Sequence, residues 1–304
     1  MKINMHVLAR ISMVAAVLGT GGCATLFEPS ASDQPDNARQ AELAMVRADK
    51  ALRQGELDRA LYEYVNVLSW DEDKTDAHYM VGVIHYLKGN LALATRAFQK
   101  TLAHAPEHAG ATEGLGLVLL REKKPEEAKA HLEKALALDE HRWRAHNGLG
   151  VIADLNHDYT AAEQHYQAAL RERPDAPMVL TNLGYSKYSA GDLEGAQSQF
   201  ERALQINPQH EKAWSNLGLL YVRRGRYNKA MDAFTRIMPE SRASNSVGYL
   251  CMIDGKYRQA EDYFVEAIKQ SPAYYAEAHD NLQKARALAY QSAGQEFKDL
   301  LECR

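Results

Sequence analysis

His104 and His108 are the first side chains in this 304-residue chain whose spacing invites a test for metal binding. They flank Pro106 in the run His-Ala-Pro-Glu-His, and a proline there interrupts the helix that would bring both rings to one face. We therefore interpret both as loop histidines. Gly114-Leu115-Gly116 lies inside a helical pattern with no strand before it, which excludes a phosphate-binding loop.

The other side chains that could do chemistry are dispersed. His131, His157 and His165 fall on different helical faces, and no serine or cysteine nucleophile has an identifiable base. Cys251 occupies a helical position that faces a neighbouring helix, which favours a buried structural thiol, and Cys303 lies near the chain end. The sequence predicts that the protein is not an enzyme and binds no metal or cofactor.

Charge and composition narrow the class of partner. Charged residues make up 25% of the chain and hydrophobic residues 46%, as in folded helical proteins. The formal net charge is −4. A nucleic-acid scaffold usually carries a basic excess, so this balance predicts that nucleic acid is not the partner.

One spacing recurs along most of the chain. Seven alanines occupy the same place in successive segments, and the first six are 34 residues apart: Ala60, Ala94, Ala128, Ala162, Ala196, Ala230 and Ala260. A small residue precedes each alanine by twelve positions, and a large apolar residue follows it by four. A fixed period of this length indicates an array of helical hairpins in which two helices approach closely once per repeat.

This pattern resembles the tetratricopeptide repeat. The fifth unit carries Leu183-Gly184, Ala196, Phe200 and Pro208 at the family's offsets. The resemblance implies an all-α fold, a right-handed solenoid of about seven hairpins. The units occupy residues 41–274: 41–74, 75–108, 109–142, 143–176, 177–210, 211–240 and 241–274.

Three parts of the array depart from the average unit. The sixth unit is four residues short and ends at Pro239-Glu240, so its second helix should stop about one turn early. Residues 275–290 keep helical spacing and are predicted to cap the last hairpin. Residues 291–304 lose the period, and we expect them to fray.

The resemblance also implies a binding groove. In tetratricopeptide arrays, certain positions of each first helix line the concave face, and here they give an apolar, tyrosine-rich stripe: Tyr79, Val83, Tyr86, Leu117, Leu120, Tyr185, Tyr188, Leu219, Tyr249 and Met252. Tyrosines suit recognition because they combine rigid area with one polar tip. The alternative for each residue is packing between adjacent helices.

A polar set accompanies the stripe. Asn147, Asn182, Lys212 and Asn216 occupy inner positions of three successive units. Some family members clamp a peptide carboxylate with Lys, Asn, Asn, Lys and Arg at such places, but only Asn182 and Lys212 match that pattern. We expect no true clamp. The asparagines either hydrogen-bond an extended peptide backbone or stabilise the starts of their helices.

The amino terminus reads as an export signal over residues 1–22. Lys2 and Arg10 flank its start, and the apolar run 11–18 is too short for a permanent membrane span. Gly21-Gly22-Cys23 resembles the lipobox of bacterial lipoproteins, which implies lipidation of Cys23, although Thr20 stands where that family usually has Leu. Ordinary signal cleavage is the alternative.

The residues after the signal predict where the array sits. Ala24, rather than Asp, follows the cysteine, and by resemblance this favours the outer membrane, with the array facing the periplasm. Residues 23–40 are rich in Ser, Pro, Asp and Asn and are predicted to be a flexible tether.

A leader, tether and array in this order resemble envelope assembly lipoproteins, in style those of tight-adherence (Flp) pili. The shortened sixth unit followed by Val247-Gly248-Tyr249-Leu250 and the run 271–275 before the last helix carry this resemblance. It implies a scaffold that binds proteins or extended peptide segments of an envelope complex, such as a secretin or pilus component. Type IV pilotins are a related possibility. The alternatives are a soluble periplasmic adaptor for envelope biogenesis or cell-wall enzymes, and an enzyme whose site the sequence does not reveal.

Overall fold

The structure is a computed structural model that describes the backbone of residues 33–302 and the side chains of residues 36–293. Within that range it is all-helical, with fifteen helices in seven hairpins and one final helix. The odd-numbered helices are α1 (Asp33–Arg53), α3 (Thr75–Leu87), α5 (Ala109–Arg121), α7 (Trp143–Leu155), α9 (Pro177–Ala190), α11 (Glu211–Arg223), α13 (Glu240–Ile253) and α15 (Ala276–Glu302). The even-numbered helices are α2 (Leu57–Trp70), α4 (Leu91–His104), α6 (Pro125–Leu138), α8 (Tyr159–Glu172), α10 (Leu193–Ile206), α12 (Tyr227–Phe234) and α14 (Tyr257–Gln270). The predicted solenoid of hairpins is confirmed.

The fifth hairpin shows why the sequence folds this way. Ala196, Phe200 and Ala203 recur at helical spacing on α10 and are fully buried. Asp192 caps α10 by accepting a 2.8 Å hydrogen bond from the Gly195 N–H, and this bond lowers the pKa of the Asp192 carboxyl. The turn before it needs a left-handed residue, which Gly191 supplies with φ of 92°.

Two layers result from this repetition. From α3 onward, each first helix packs against its own second helix and against the next odd-numbered helix, so α3, α5, α7, α9, α11, α13 and α15 lie side by side. We call the exposed side of this row the first-helix face. The even-numbered helices form the other layer.

The sixth hairpin is shortened as expected. α12 has 8 residues, against 14 in α10, so the loss is more than one and a half turns at about 3.6 residues per turn. Pro239 lies at the start of α13 and disfavours helix in the residue before it. The chain therefore leaves α12 through a short turn and enters α13 directly.

The ends of the array differ from the expectation. Helix α1 begins at Asp33, so residues 33–40 of the predicted tether are helical; Pro35 fits there because the first turn has no partner for its missing N–H. Helix α15 caps the last hairpin through the buried Ala278, Leu282 and Ala285, yet it continues to Glu302 where fraying was expected. Cys23, Cys303 and the predicted signal segment lie outside the described residues.

No helix in the described range is long and apolar enough to cross a membrane.

Gly184→Ala tests the helix crossing in the fifth hairpin. A Cβ at this position would lie 2.6 Å from Cε1 of the buried Phe200 ring and 3.2 Å from the backbone oxygen of Ala196. We expect the free energy of unfolding to fall by about 1–3 kcal/mol because the crossing becomes overpacked. Urea denaturation measures the change, with the exposed Glu194→Ala on α10 as the control. Equal stability of both variants would contradict the assigned crossing.

Candidate functional site

A pocket opens on the first-helix face where α7, α9 and α11 lie side by side. Its volume is about 390 Å³. Four of the residues predicted for the groove line it together: Asn182, Tyr185, Lys212 and Asn216. Tyr185 remains 49% exposed, so about half of its surface is free for a partner. The structure thus brings part of the apolar stripe and part of the polar set to one place.

Other lining residues were not selected from the sequence. Val151 and Leu155 add apolar surface from α7, and Asp154 lies between them at the helix end. His157, in the turn before α8, has a positive φ of 59° and is 3.1 Å from the Tyr159 hydroxyl through Nδ1. Val151 of α7 occupies the same repeat position as Tyr185, so the same rule could have selected it. Nothing in the repeat period identifies the turn residues.

Asp154 is partly withdrawn from the pocket surface. Its Oδ2 accepts a 2.7 Å hydrogen bond from the Tyr166 hydroxyl. Burial raises the pKa of the Asp154 carboxyl, and the bond from Tyr166 lowers it in part. Four polar groups of the pocket make no side-chain hydrogen bond within the described structure: the Tyr185 hydroxyl, Ser189, Lys212 and Asn216.

Two of the predicted asparagines bind each other instead. Asn182 Nδ2 donates to Asn147 Oδ1 at 2.9 Å, which joins α9 to α7, and Asn147 is only 7% exposed. Asn281 and Asn245 repeat the arrangement between α15 and α13 at 3.2 Å. The Asn147–Asn182 pair therefore joins neighbouring hairpins, neither of the two roles considered for the polar set.

Three predicted tyrosines hold neighbouring helices. A Cβ on Gly110 of α5 would lie 2.9 Å from Tyr79 Cζ, so Tyr79 packs closely over that helix. Tyr86 lies under the Arg121 guanidinium, 5.0 Å from its ring centroid, and Tyr188 lies under Arg223 at 4.9 Å. These side chains are partly buried and contribute to contacts between hairpins.

The remaining predicted groove residues divide by exposure. Tyr249 is 47% exposed on α13, beyond the pocket. The others are partly buried and pack against the apolar core clusters of their hairpins: Val83, Leu117, Leu120, Leu219 and Met252. Binding of a partner by these residues stays a prediction.

Of the histidines and cysteines considered for catalysis or metal binding, only His157 lines the pocket within the described structure. His165, expected to stand alone, faces His146 across the fourth hairpin with their Nδ1 atoms 3.4 Å apart, and burial lowers the pKa of both rings. Cys251 is buried, and burial raises the pKa of its thiol to about 11. In the part of the chain with described side chains, no three His, Cys, Asp or Glu residues come together as a metal site would require.

Comparison with known proteins agrees with this architecture. Two family models described as tetratricopeptide repeat match the chain, one over residues 45–95, 88–128 and 119–177 and the other over 187–250. The chain belongs to the tetratricopeptide repeat family. Members of this family present their repeats as scaffolds for protein–protein interaction, and the exposed pocket on the first-helix face fits that role.

Two sequence relatives share only part of their length with this chain. Tetratricopeptide repeat protein 8 of Mus musculus is 28% identical over 117 residues, which cover 37% of this chain and 22% of that protein. The uncharacterized protein y4yS of Sinorhizobium fredii is 32% identical over 91 residues, which cover 30% of this chain and 50% of that protein. The chain therefore spans half or less of these relatives.

Several solved structures share the fold. The Cut9–Hcn1 hetero-tetramer of the APC/C superposes with a TM-score of 0.63 at 19% identity, covering 84% of this chain and 52% of that one. PilW, described as a type IV pilus biogenesis factor, gives 0.55 at 22% identity and 64% and 90% coverage. Pseudomonas aeruginosa PilF gives 0.52 at 18% identity and 83% and 99% coverage.

Asn182→Ala tests the role of the Asn147–Asn182 pair. Removing the amide leaves Asn147 Oδ1 without its donor inside the array, so we expect the free energy of unfolding to fall by about 1–3 kcal/mol. Asn216→Ala is the matched control, because Asn216 makes no side-chain hydrogen bond with the described residues, and its change should stay within about 0.5 kcal/mol. Urea denaturation compares the two, and equal losses would contradict the structural role.

Proposed function

We propose that this chain is a non-enzymatic docking scaffold that assists assembly of a pilus or secretion complex in the bacterial envelope. The observation that carries the proposal is the open pocket of about 390 Å³ on the first-helix face, with exposed apolar and polar groups from three successive hairpins. Such a surface suits an extended protein segment, because Tyr185 offers area while Asn216 and Lys212 offer hydrogen-bond donors.

The envelope part of the proposal has its own support. Residues 1–23 resemble a lipoprotein signal ending at Cys23, which would anchor the array at the outer membrane, facing the periplasm. PilW, described as a type IV pilus biogenesis factor, shares the fold over 64% of this chain. Thr20 departs from the usual lipobox, so a soluble periplasmic adaptor for envelope biogenesis or cell-wall enzymes is the second candidate.

Cys23→Ala tests the anchor. Cells expressing the full chain are fed an alkyne analogue of palmitate, and the purified protein is examined for the label. We expect label on the native chain and on Cys303→Ala, and none on Cys23→Ala, because lipidation needs the thiol that follows the small residues. A native chain without label, found in the soluble periplasm, would favour the adaptor.

Tyr185→Ala tests the docking surface. We expect it to reduce recovery of envelope partners captured from detergent-solubilised membranes by about tenfold, since an exposed aromatic anchor contributes about 1–2 kcal/mol to an interface. The control is Tyr62→Ala, which removes a more exposed tyrosine, 65% accessible against 49% for Tyr185, from α2 in the other layer. Mass spectrometry identifies the bound proteins.

Each result of the capture experiment has a definite meaning. Pilus or secretin subunits that depend on Tyr185 support the proposal. Cell-wall enzymes in their place would support the second candidate, and unchanged capture by Tyr185→Ala would place the docking surface elsewhere.

A further inference from the structure

Four cations on the first-helix face make no ion pair with a described acidic side chain. Arg121, Arg144, Lys212 and Arg223 are exposed on α5, α7 and α11. None of them takes part in an ion pair among the residues whose side chains the structure describes. We call these four residues the free cations. They are notable in a chain with a formal net charge of −4, where acidic residues are in excess.

Two of the three acidic side chains on α5, α7, α9 and α11 are already engaged, and the third, Glu211 beside Lys212, is exposed and makes no ion pair with a described side chain. Glu113 accepts a 3.0 Å hydrogen bond from the Ala145 N–H and lies 3.3 Å from Arg142 Nη1, with its side chain only 5% exposed. Burial raises the pKa of the Glu113 carboxyl, an effect that Arg142 and Arg144 oppose. Asp154 is held by Tyr166. The middle of the first-helix face therefore presents positive charge to a partner.

Neighbouring hairpins hold two of the free cations in place. Arg121 Nη1 donates to the Tyr86 carbonyl at 2.7 Å, and Arg223 Nη1 donates to the Tyr188 carbonyl at 2.9 Å, while each guanidinium lies over the same tyrosine ring. The same arrangement thus occurs twice, and in each case the arginine lies 35 residues after the tyrosine. A guanidinium has five N–H donors in a fixed fork, so each retains donors that match a carboxylate.

Two of the free cations lie on the outer first helices of the pocket: Arg144 on α7 and Lys212 on α11, with α9 and its Tyr185 between them. Arg121 and Arg144 both lie near the Tyr86 hydroxyl, where each lowers the pKa of that group against the effect of burial. Lys212 lines the pocket with Tyr185, and Arg223 follows on the same helix. Val151 and Leu155, on the same helix as Arg144, line the pocket together with Tyr185 and Lys212.

The distance between the helices determines how far apart the acidic residues of a bound peptide must be. From α7 to α11 the distance is two helix spacings, roughly 20 Å at about 10 Å each. An extended chain advances about 3.3 Å per residue, so it crosses that distance in roughly six residues.

Resting on the proposed docking function, we infer that the segment bound on this face is an extended acidic peptide. Its acidic residues fall in two groups roughly six positions apart, and an apolar side chain between them enters the pocket at Val151, Leu155 and Tyr185. The peptide thus completes the charge pairs that the array leaves open.

Selection from a random peptide library tests this without assuming a sequence. Twelve-residue peptides displayed on phage are selected on the full chain, immobilised in detergent. We expect the recovered peptides to be net acidic, with two acidic positions separated by five to seven residues around an apolar one. Recovery of neutral or basic peptides would overturn the inference and leave the docking function standing, whereas recovery of no peptides would contradict both.

Charge variants then locate the contact. The best recovered peptide, labelled with fluorescein, is titrated with the full chain in an anisotropy assay. Arg144→Gln combined with Lys212→Gln should weaken binding about tenfold, and raising the salt from 50 to 200 mM should weaken native binding because exposed charges are screened.

The control removes the same charge from the other layer. Lys100→Gln combined with Lys134→Gln changes two exposed, unpaired lysines on α4 and α6 within the described structure, and it should leave the affinity within about twofold. Equal weakening by both double variants would overturn the inference, because it would show an effect of net charge alone. Competition by a single-stranded oligonucleotide as strong as that by unlabelled peptide would also overturn it.

Discussion

The structure depends on one contact that recurs in its hairpins: a glycine of the first helix lies against a large side chain of the second. A Cβ on Gly150 would be 2.6 Å from the Tyr166 ring, and one on Gly218 would be 2.6 Å from the Phe234 ring. Gly82, Gly184 and Gly248 face phenylalanines in the same way, and Gly116 faces a leucine. Because this crossing closes six of the seven hairpins, the second helix of each can bury its alanines and the next hairpin can stack on the pair.

Closing the hairpins in this way separates packing from recognition. One face of each first helix packs against the second helix at the crossing, and another face contacts the neighbouring first helix. On that second face Asn182 hydrogen-bonds Asn147, and Arg121 lies over the Tyr86 ring. What is left is the exposed first-helix face. On this face the exposed Tyr185, Arg144 and Lys212 make no side-chain hydrogen bond or ion pair within the described structure, and there the proposed docking function is placed.

The sequence predicted the features that depend on the 34-residue spacing of the repeats. The position of Ala196 and Phe200, the short sixth hairpin and the final capping helix all follow from spacing, because the crossing repeats with the chain. The period does not reach the chain ends, so the helical start at Asp33 and the extension of α15 to Glu302 were missed. It also cannot show that Asn182 reaches Asn147, since that bond joins positions 35 residues apart, one more than the repeat.

The same reasoning explains what was missed in the pocket. The stripe rule selects tyrosines by position, yet it cannot separate Tyr79, which packs over Gly110, from Tyr185, which is exposed, because that difference depends on what the next hairpin places opposite. His157 and Tyr159 line the pocket from a turn and the start of a second helix, where the stripe rule makes no selection.

The proposed docking function places the partner on the first-helix face at α7, α9 and α11. Site-specific photo-crosslinking tests it most directly, with a benzophenone amino acid placed at Tyr185 and, in a separate strain, at Tyr62 on α2. We expect a discrete crosslinked protein from position 185 and none from position 62. Crosslinks from position 62 alone would contradict it and would place recognition on the other layer.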